Sequence, residues 1–301
     1  MDISLIICTY NRADSLNETL NSLANQSYEK KNWELIIVDN NSPDHTKEIV
    51  NSFHDKFPNL IYQFEKKQGL SFARNTGINL AHGEIIVFTD DDVLPESSWL
   101  EKIKINMEKY HCAACGGYIA PQWESPPPAW LTEIFYGFLA IKTDLNGPRQ
   151  LTTSDELPFG ANMAFRKEIF STYSLFDTQK GRKGNELSSG EDSDMFQNIL
   201  DGKETVFYFP DIKVKHKVEA FRTKKKYFRR WRYQSSKNIA LTSKFEGAKK
   251  ICNIPTYIIK QTVQAFFTAC KSHFIDPADI SFRKEMIVWH FFGIIAGLMS
   301  K

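Results

Sequence analysis

Short apolar runs alternate with amphipathic stretches over the first hundred residues. Ile3 to Thr9, Leu35 to Val38, Leu60 to Phe64 and Ile85 to Thr89 are rich in β-branched and aromatic residues and read as strands. Between them, Ser15 to Asn25, Thr46 to Phe57 and Leu70 to Ala81 carry apolar residues at helical spacing. Strands separated by helices predict βαβ units, and runs that are apolar on both faces predict a parallel sheet covered on both sides. After Pro95 the pattern is mixed: a helix over Trp99 to Tyr110, a strand near Ala113 to Ile119, and a rigid loop at Ser125-Pro126-Pro127-Pro128. Gly181 to Gly190 reads as a loop of the kind that closes over a site, or as a plain surface loop, and Ile212 to Lys215 reads as a strand. Beyond Lys224 the pattern is helical. The expected fold class is α/β, a sheet flanked by helices with a helical C-terminal extension, divided into residues 1–218 and 219–301.

Composition adds little until it is resolved along the chain. With 301 residues, 42% hydrophobic and 25% charged, this is an ordinary globular sequence able to bury a full core. The net charge of +2 gives no general argument for a polyanionic partner. Lys213 to Lys250, however, holds 14 basic and 2 acidic residues, a local +12, which leaves −10 for the rest. Within it, Arg222 to Tyr233 interleaves basic residues with aromatics. No nucleic-acid fold accompanies the segment, so no nucleic-acid partner is expected, and anionic lipid headgroups suit it better; a solvated helix is the alternative. The last helical stretch, Met286 to Met299, is too short to span a bilayer and would lie in the interface, or pack on the catalytic domain or on another subunit of an oligomer. Five cysteines without disulfide-like spacing favour a reducing compartment, and Cys112 with Cys115, lacking a second pair, reads as packing. The first residues show no signal-peptide pattern, so the expected location is cytoplasmic, with peripheral attachment to the inner face of the membrane as an option.

Chemistry concentrates where the apolar runs end. In open α/β sheets ligands bind outside the carboxyl ends of the strands. Here those ends read Thr9-Tyr10-Asn11-Arg12, Asp39-Asn40-Asn41-Ser42 and Asp90-Asp91-Asp92. Three adjacent carboxylates repel one another unless a cation relieves them, and a divalent ion does so best. Mg2+ or Mn2+ takes a few carboxylates and then phosphate oxygens, so the triplet suits a diphosphate-bearing substrate. The plainer reading makes one of these aspartates a helix N-cap.

In family order, Ile6-Ile7-Cys8-Thr9-Tyr10-Asn11-Arg12, Ile37-Val38-Asp39-Asn40-Asn41-Ser42, Ala73-Arg74-Asn75-Thr76-Gly77, the aspartate triplet, Gly160-Ala161-Asn162-Met163 and Gly190-Glu191-Asp192-Ser193-Asp194 resemble the inverting family 2 glycosyltransferases of the GT-A fold. The resemblance covers about residues 3 to 217. It implies transfer of a sugar from a nucleotide-diphosphate donor, UDP above all, to a hydroxyl of a glycan or lipid-linked acceptor, as in bacterial surface polysaccharide synthesis. A catalytically silent sugar-nucleotide scaffold and a nucleotidyltransferase are the rival readings. The donor side would comprise Thr9, Tyr10, Asn11, Arg12, Asp39, Asn41, Arg74, Asp90 and Asp91. In it Asp39 accepts a base N–H, Arg74 stands beside the diphosphate, and Asp91 meets the ribose. Asp92 and His216 match metal ligands, and Asp192 matches the general base, for which a helix cap is the competing role. Gly160, Ala161, Asn162 and Glu191 would face the acceptor, with Trp130 as a stacking surface or a core residue. Processive relatives carry Gln-x-x-Arg-Trp; Tyr227 stands where that Gln would precede Arg230-Trp231, so single addition is expected.

Overall fold

The computed structural model describes residues 1–153, 157–182, 190–242 and 249–301. The described residues form two compact units, one of residues 1–122, 140–153, 157–182 and 190–217, the other of 123–139, 218–242 and 249–301.

In the first unit the alternation of strand and helix is realised as β1 (Ile3–Thr9), α1 (Ala13–Leu23), β2 (Trp33–Asp39), α2 (Thr46–Asn51), β3 (Leu60–Phe64), α3 (Leu70–Leu80) and β4 (Ile85–Asp90). These four strands lie parallel in the order β3-β2-β1-β4, so their carboxyl ends share one edge. The sheet continues through β5 (Val93–Pro95), α4 (Trp99–Lys109), β6 (Ala114–Trp123), β7 (Arg149–Leu151), β8 (Met163–Arg166), α5 (Ile169–Thr172), α6 (Glu191–Asp201) and β9 (Val206–Val218). It is mixed: β8 runs antiparallel to both β4 and β6, and β9 pairs antiparallel with β5 and β7.

Two apolar clusters cover its faces. Ile3, Leu5, Ile7, Leu35 and Ile37 pack with Leu16, Leu20, Trp99 and Ile103, while Ile6, Ile36, Val38, Ile86 and Phe88 pack with Ala73, Phe170 and Phe196. Burial on both faces explains why β1 and β2 read as unbroken apolar runs. Cys112 and Cys115 are buried free thiols within this packing.

The second unit is helical, with α7 (Lys225–Thr242), a hairpin of β10 (Lys250–Ile251) and β11 (Ile254–Pro255), α8 (Thr256–Ile275) and α9 (Ala278–Met299). Trp130 lies here rather than in the unit that carries the strand ends. Half-buried, its ring makes T-shaped contacts with Phe135, Phe228 and Phe282 at 5.5, 5.3 and 4.8 Å, as part of an aromatic cluster. Trp231 likewise meets Phe138 edge-on at 4.8 Å. Among the described residues no helix is long and apolar enough to cross a membrane.

Candidate active site

The parallel strands place Thr9, Asp39 and Asp90 at the same end of adjacent strands, because β1 pairs Thr9 with Asp39 and Cys8 with Asp90. Just past them, Asn11 and Asn41 both take left-handed backbone (φ 54 and 66), which Asn tolerates better than most residues. The two loops are tied together: the Asn11 amide donates to Ser42 Oγ at 2.9 Å and the Asn40 amide to the Thr9 carbonyl at 2.9 Å. Asp39 is buried, and its two oxygens accept the Ser42 amide (2.9 Å) and the Tyr62 hydroxyl (2.8 Å). Each oxygen keeps a further lone pair for a ligand N–H.

The aspartate triplet leads through a turn into β5, so no helix begins there and the capping alternative has no helix to cap. Thr9 Oγ1 donates to Asp91 at 2.7 Å, and Thr19 donates to the Asp91 carbonyl at 2.9 Å. Arg12 reaches Asp91 at 3.1 Å and Asp92 at 2.9 Å. Burial lifts the Asp91 carboxyl, against the pull of Arg12 and with repulsion from Asp92, to about 7. Burial, with Asp92 nearby, also raises Asp90.

The β5–β9 register pairs Val93 with His216, which brings that imidazole to the triplet from 124 residues further along the chain. His216 Nε2 stands 3.3 Å from Asp92 Oδ1, and both side chains are 3% exposed. Adjacent octahedral ligands on Mg2+ or Mn2+, each about 2.1 Å from the ion, would stand about 3 Å apart. The pair therefore fits two neighbouring positions on such an ion. Among the described residues no third His, Cys, Asp or Glu joins them. That suits an ion whose remaining ligands are phosphate oxygens and water.

The other wall of the site comes from the start of α6 and the 3-10 turn Gly160–Asn162. The Asp192 carboxylate does not cap its own helix. It accepts the Gly160 amide at 2.9 Å and ion-pairs with Arg74. Arg74 also holds Glu191 Oε1 at 3.0 Å and is 3% exposed. Burial opposes the Arg74 charge, but Asp192 and Glu191 outweigh it and hold the guanidinium above its ordinary value. Burial and the neighbouring Asp192 lift Glu191 to about 7, with Arg74 opposing, and Glu191 Oε2 has no hydrogen-bond partner among the described residues. Asp194 pairs with Lys180.

Gly160 leaves room for these groups, since an added Cβ would overlap the Arg74 guanidinium and the Asp192 carboxylate and force one of them to shift. Thr89 ties the turn to the end of β4 by donating to the Ala161 carbonyl at 2.8 Å. The side chain of Asn162 is spent inside the fold: it accepts from Trp99 Nε1 at 2.9 Å and donates to the carbonyls of Tyr118 (3.1 Å) and Ile212 (3.0 Å). Tyr10 borders the site half-buried. Of the loop expected at Gly181 to Gly190, residues 183–189 lie outside the described residues.

Tyr62, Thr19 and Trp99 hold the Asp39 carboxylate, the Asp91 carbonyl and the Asn162 side chain in place, and no motif in the sequence singles them out. Only Tyr62 left a signal, since it alternates with Phe64 on the strand beside Asp39.

The family model of glycosyl transferase family 2 matches residues 4–174. A glucosyl-dolichyl phosphate glucuronosyltransferase of Haloferax volcanii is 28% identical over 227 residues, 74% of this chain and 71% of that protein. Glycosyltransferase AglE of the same organism is 42% identical over 101 residues, 33% of each chain, and two further curated relatives are longer proteins of which the match spans 15% and 20%. The fold matches the mannosyltransferase PcManGT of Pyrobaculum calidifontis, solved with GDP-Man and Mn2+, at a TM-score of 0.63 and 18% identity, covering 99% of this chain and 87% of that one. It also matches residues 1–349 of Staphylococcus aureus TarS with UDP-GlcNAc at a TM-score of 0.56 and 18% identity, over 91% and 73% of the two chains. Because the family model spans more than half of its length, this chain belongs to glycosyl transferase family 2, and it is a glycosyltransferase.

Proposed function

We propose that this glycosyltransferase moves a hexose or N-acetylhexosamine from a UDP-sugar to a hydroxyl of a glycan or lipid-linked acceptor, one sugar at a time with inversion, in the synthesis of a bacterial surface polysaccharide. The UDP-GlcNAc bound by TarS and the dolichyl-phosphate acceptor named for the H. volcanii relative support the donor and acceptor classes. One observation carries the reading: the Asp192 carboxylate is fixed by the Gly160 amide and Arg74 instead of capping its helix.

In this reading Asp192 takes the proton of the incoming hydroxyl while that oxygen bonds to the anomeric carbon. The bond from that carbon to the diphosphate breaks on the opposite face, and nucleoside diphosphate leaves. Gly160 and Arg74 orient the carboxylate for this step. Asp39 accepts the base N–H with a lone pair left over by Tyr62 and Ser42, and Asp91 accepts from the ribose. Asp92 and His216 would hold Mn2+ or Mg2+, which supplies neutralising charge to the departing diphosphate.

The test is release of nucleoside diphosphate from a panel of UDP- and GDP-sugars, with Asp192→Asn alongside. Turnover should fall by about a thousandfold in the variant while calorimetric binding of UDP is kept. Undiminished turnover would remove Asp192 as the base, and release of pyrophosphate would make the chain a nucleotidyltransferase.

A further inference from the structure

The apolar residues of the basic segment and of the last helix, for which a membrane surface was one of the expected places and packing or solvent the others, are largely used in packing. Phe228, Met286, Ile294 and Leu298 are buried, and Arg229 is occupied by Glu285 at 2.6 and 3.1 Å. The helix between them differs. On α8 only Ile258 and Ser272 are buried, on the side that packs towards α9. Val263, Phe266, Phe267, Cys270 and Phe274 follow at steps of three, one, three and four residues and so form one stripe on the opposite side. They are in the open: Phe267 is 67% and Phe274 84% exposed. Isolated exposed apolar residues need no explanation, but an aromatic stripe along about three turns of one helix does.

Its charged surroundings select the occupant. Lys260 and Lys271 are exposed and border the stripe on one side, three turns apart, and Lys249 and Lys250 precede the helix. Between Lys249 and Ile275 there is no Asp or Glu. A second copy docking by the same face in two-fold fashion would set Lys260 of one chain against Lys271 of the other. An anionic headgroup layer meets both features, since phenyl rings enter the acyl boundary while lysines reach back to phosphates.

We propose that α8 is the face by which this enzyme lies on an anionic lipid bilayer, with Phe266, Phe267 and Phe274 inserted and Lys260 and Lys271 on headgroups. The assignment stands apart from the choice of donor and acceptor, and it needs no turnover to be tested.

The experiment is co-sedimentation of the full chain with vesicles of phosphatidylglycerol and phosphatidylcholine, against phosphatidylcholine alone. The native chain should sediment with the anionic vesicles, and Phe267→Ser with Phe274→Ser should weaken partition at least about tenfold. Lys260→Gln with Lys271→Gln should weaken it severalfold and reduce its sensitivity to salt. A polarity-sensitive dye on Cys270, in a Cys252→Ser background, should shift to the blue on anionic vesicles. All four side chains substituted on the stripe and its border are exposed, so unchanged melting temperatures will certify folding. Equal partition of native chain and aromatic variant would overturn the proposal. So would a chain that ignores vesicles and forms a dimer that the aromatic variant abolishes, since α8 would then be an interface between copies.

Discussion

Arg74 sits almost wholly out of water with Glu191 and Asp192 both on Nη1, so removing it would leave two carboxylates facing each other without a counter-ion. Breaking a buried ion pair by deleting one partner costs about 3–5 kcal/mol. Arg74→Ala should lose stability on that scale in denaturant melts and lose turnover by about a hundredfold or more, through misplacement of the Asp192 carboxylate. Gly160→Ala should leave stability nearer to native, yet lower kcat with little change in donor affinity, because its methyl would displace Asp192 and not the nucleotide. Glu191 permits a signed test. Its folded pKa, about 7, lies above the ordinary carboxylate value, so the folded chain holds that proton more tightly than the unfolded chain does. The resulting stability is present at low pH and is lost as pH rises towards about 7. Glu191→Gln, which cannot ionise, should therefore melt progressively higher relative to the native chain from about pH 5 to pH 8. The sequence identified these residues by motif but could not pair them. Arg74 meets acids 117 and 118 positions away, whereas the resemblance implied only a place beside the diphosphate.

Among the elements, those whose own side chains announce both the period and the ends were legible. The strand expected at Ile3 to Thr9 is observed there, because its apolar run is buried almost throughout, and α3 ends one residue short of its expected limit, with Ala73 and Ile78 buried beside the polar Ser71 and Arg74. The helix expected from Thr46 to Phe57 stops at Asn51, although Phe53 and Phe57 stay buried and stack at 6.2 Å. Spacing that places side chains in a core is satisfied by successive turns as well as by a helix. Strands β5 and β7, three residues each, offer too few positions for a period, and they form because β9 supplies their partners. Yet β5 is what sets His216 against Asp92, so part of the site depends on pairing invisible to local pattern. At the other end of the sheet Glu34 joins three elements: it accepts from Ser4 on β1 and from the His82 amide at 2.6 Å ahead of β4, with His82 Nδ1 at 3.2 Å. Burial alone would raise its pKa, but the hydrogen bonds from Ser4 and His82 outweigh that and lower it. Its stability is thus present above the ordinary carboxylate value and lost as pH falls through the lower folded one. Glu34→Ala should cost roughly 2 kcal/mol at neutral pH by stranding those donors. It should also flatten the acid limb of the melting profile between about pH 5 and pH 3, and an unchanged acid limb would mean that Glu34 is no anchor.

Across the whole molecule the charge is divided unevenly, with +12 between Lys213 and Lys250 and −10 elsewhere, and the aspartate triplet lies in the acidic part. A nucleoside diphosphate is itself an anion, so it can settle beside Asp90, Asp91 and Asp92 only if cations offset both charges. Arg12 supplies one, already shared between Asp91 and Asp92, and a divalent ion on Asp92 and His216 would supply the rest. Donor and metal should then bind as a linked pair, each raising the affinity for the other. A ligand that binds only the folded chain, at about a hundredfold over its Kd, adds about 2.7 kcal/mol, which raises the melting temperature of a protein of this size by several degrees. UDP with Mn2+ should give that rise, and UDP alone or Mn2+ alone much less. Asp92→Ala should lose the part that requires both, and the paired substitution of Phe267 and Phe274 should keep it, since those residues stand on a helix of the second unit. Equal shifts with UDP whether or not Mn2+ is present would mean that Arg12 and its neighbours bind the diphosphate unaided. Asp92 and His216 would then be an ordinary buried pair, and the charge balance of the site would have to close without an ion.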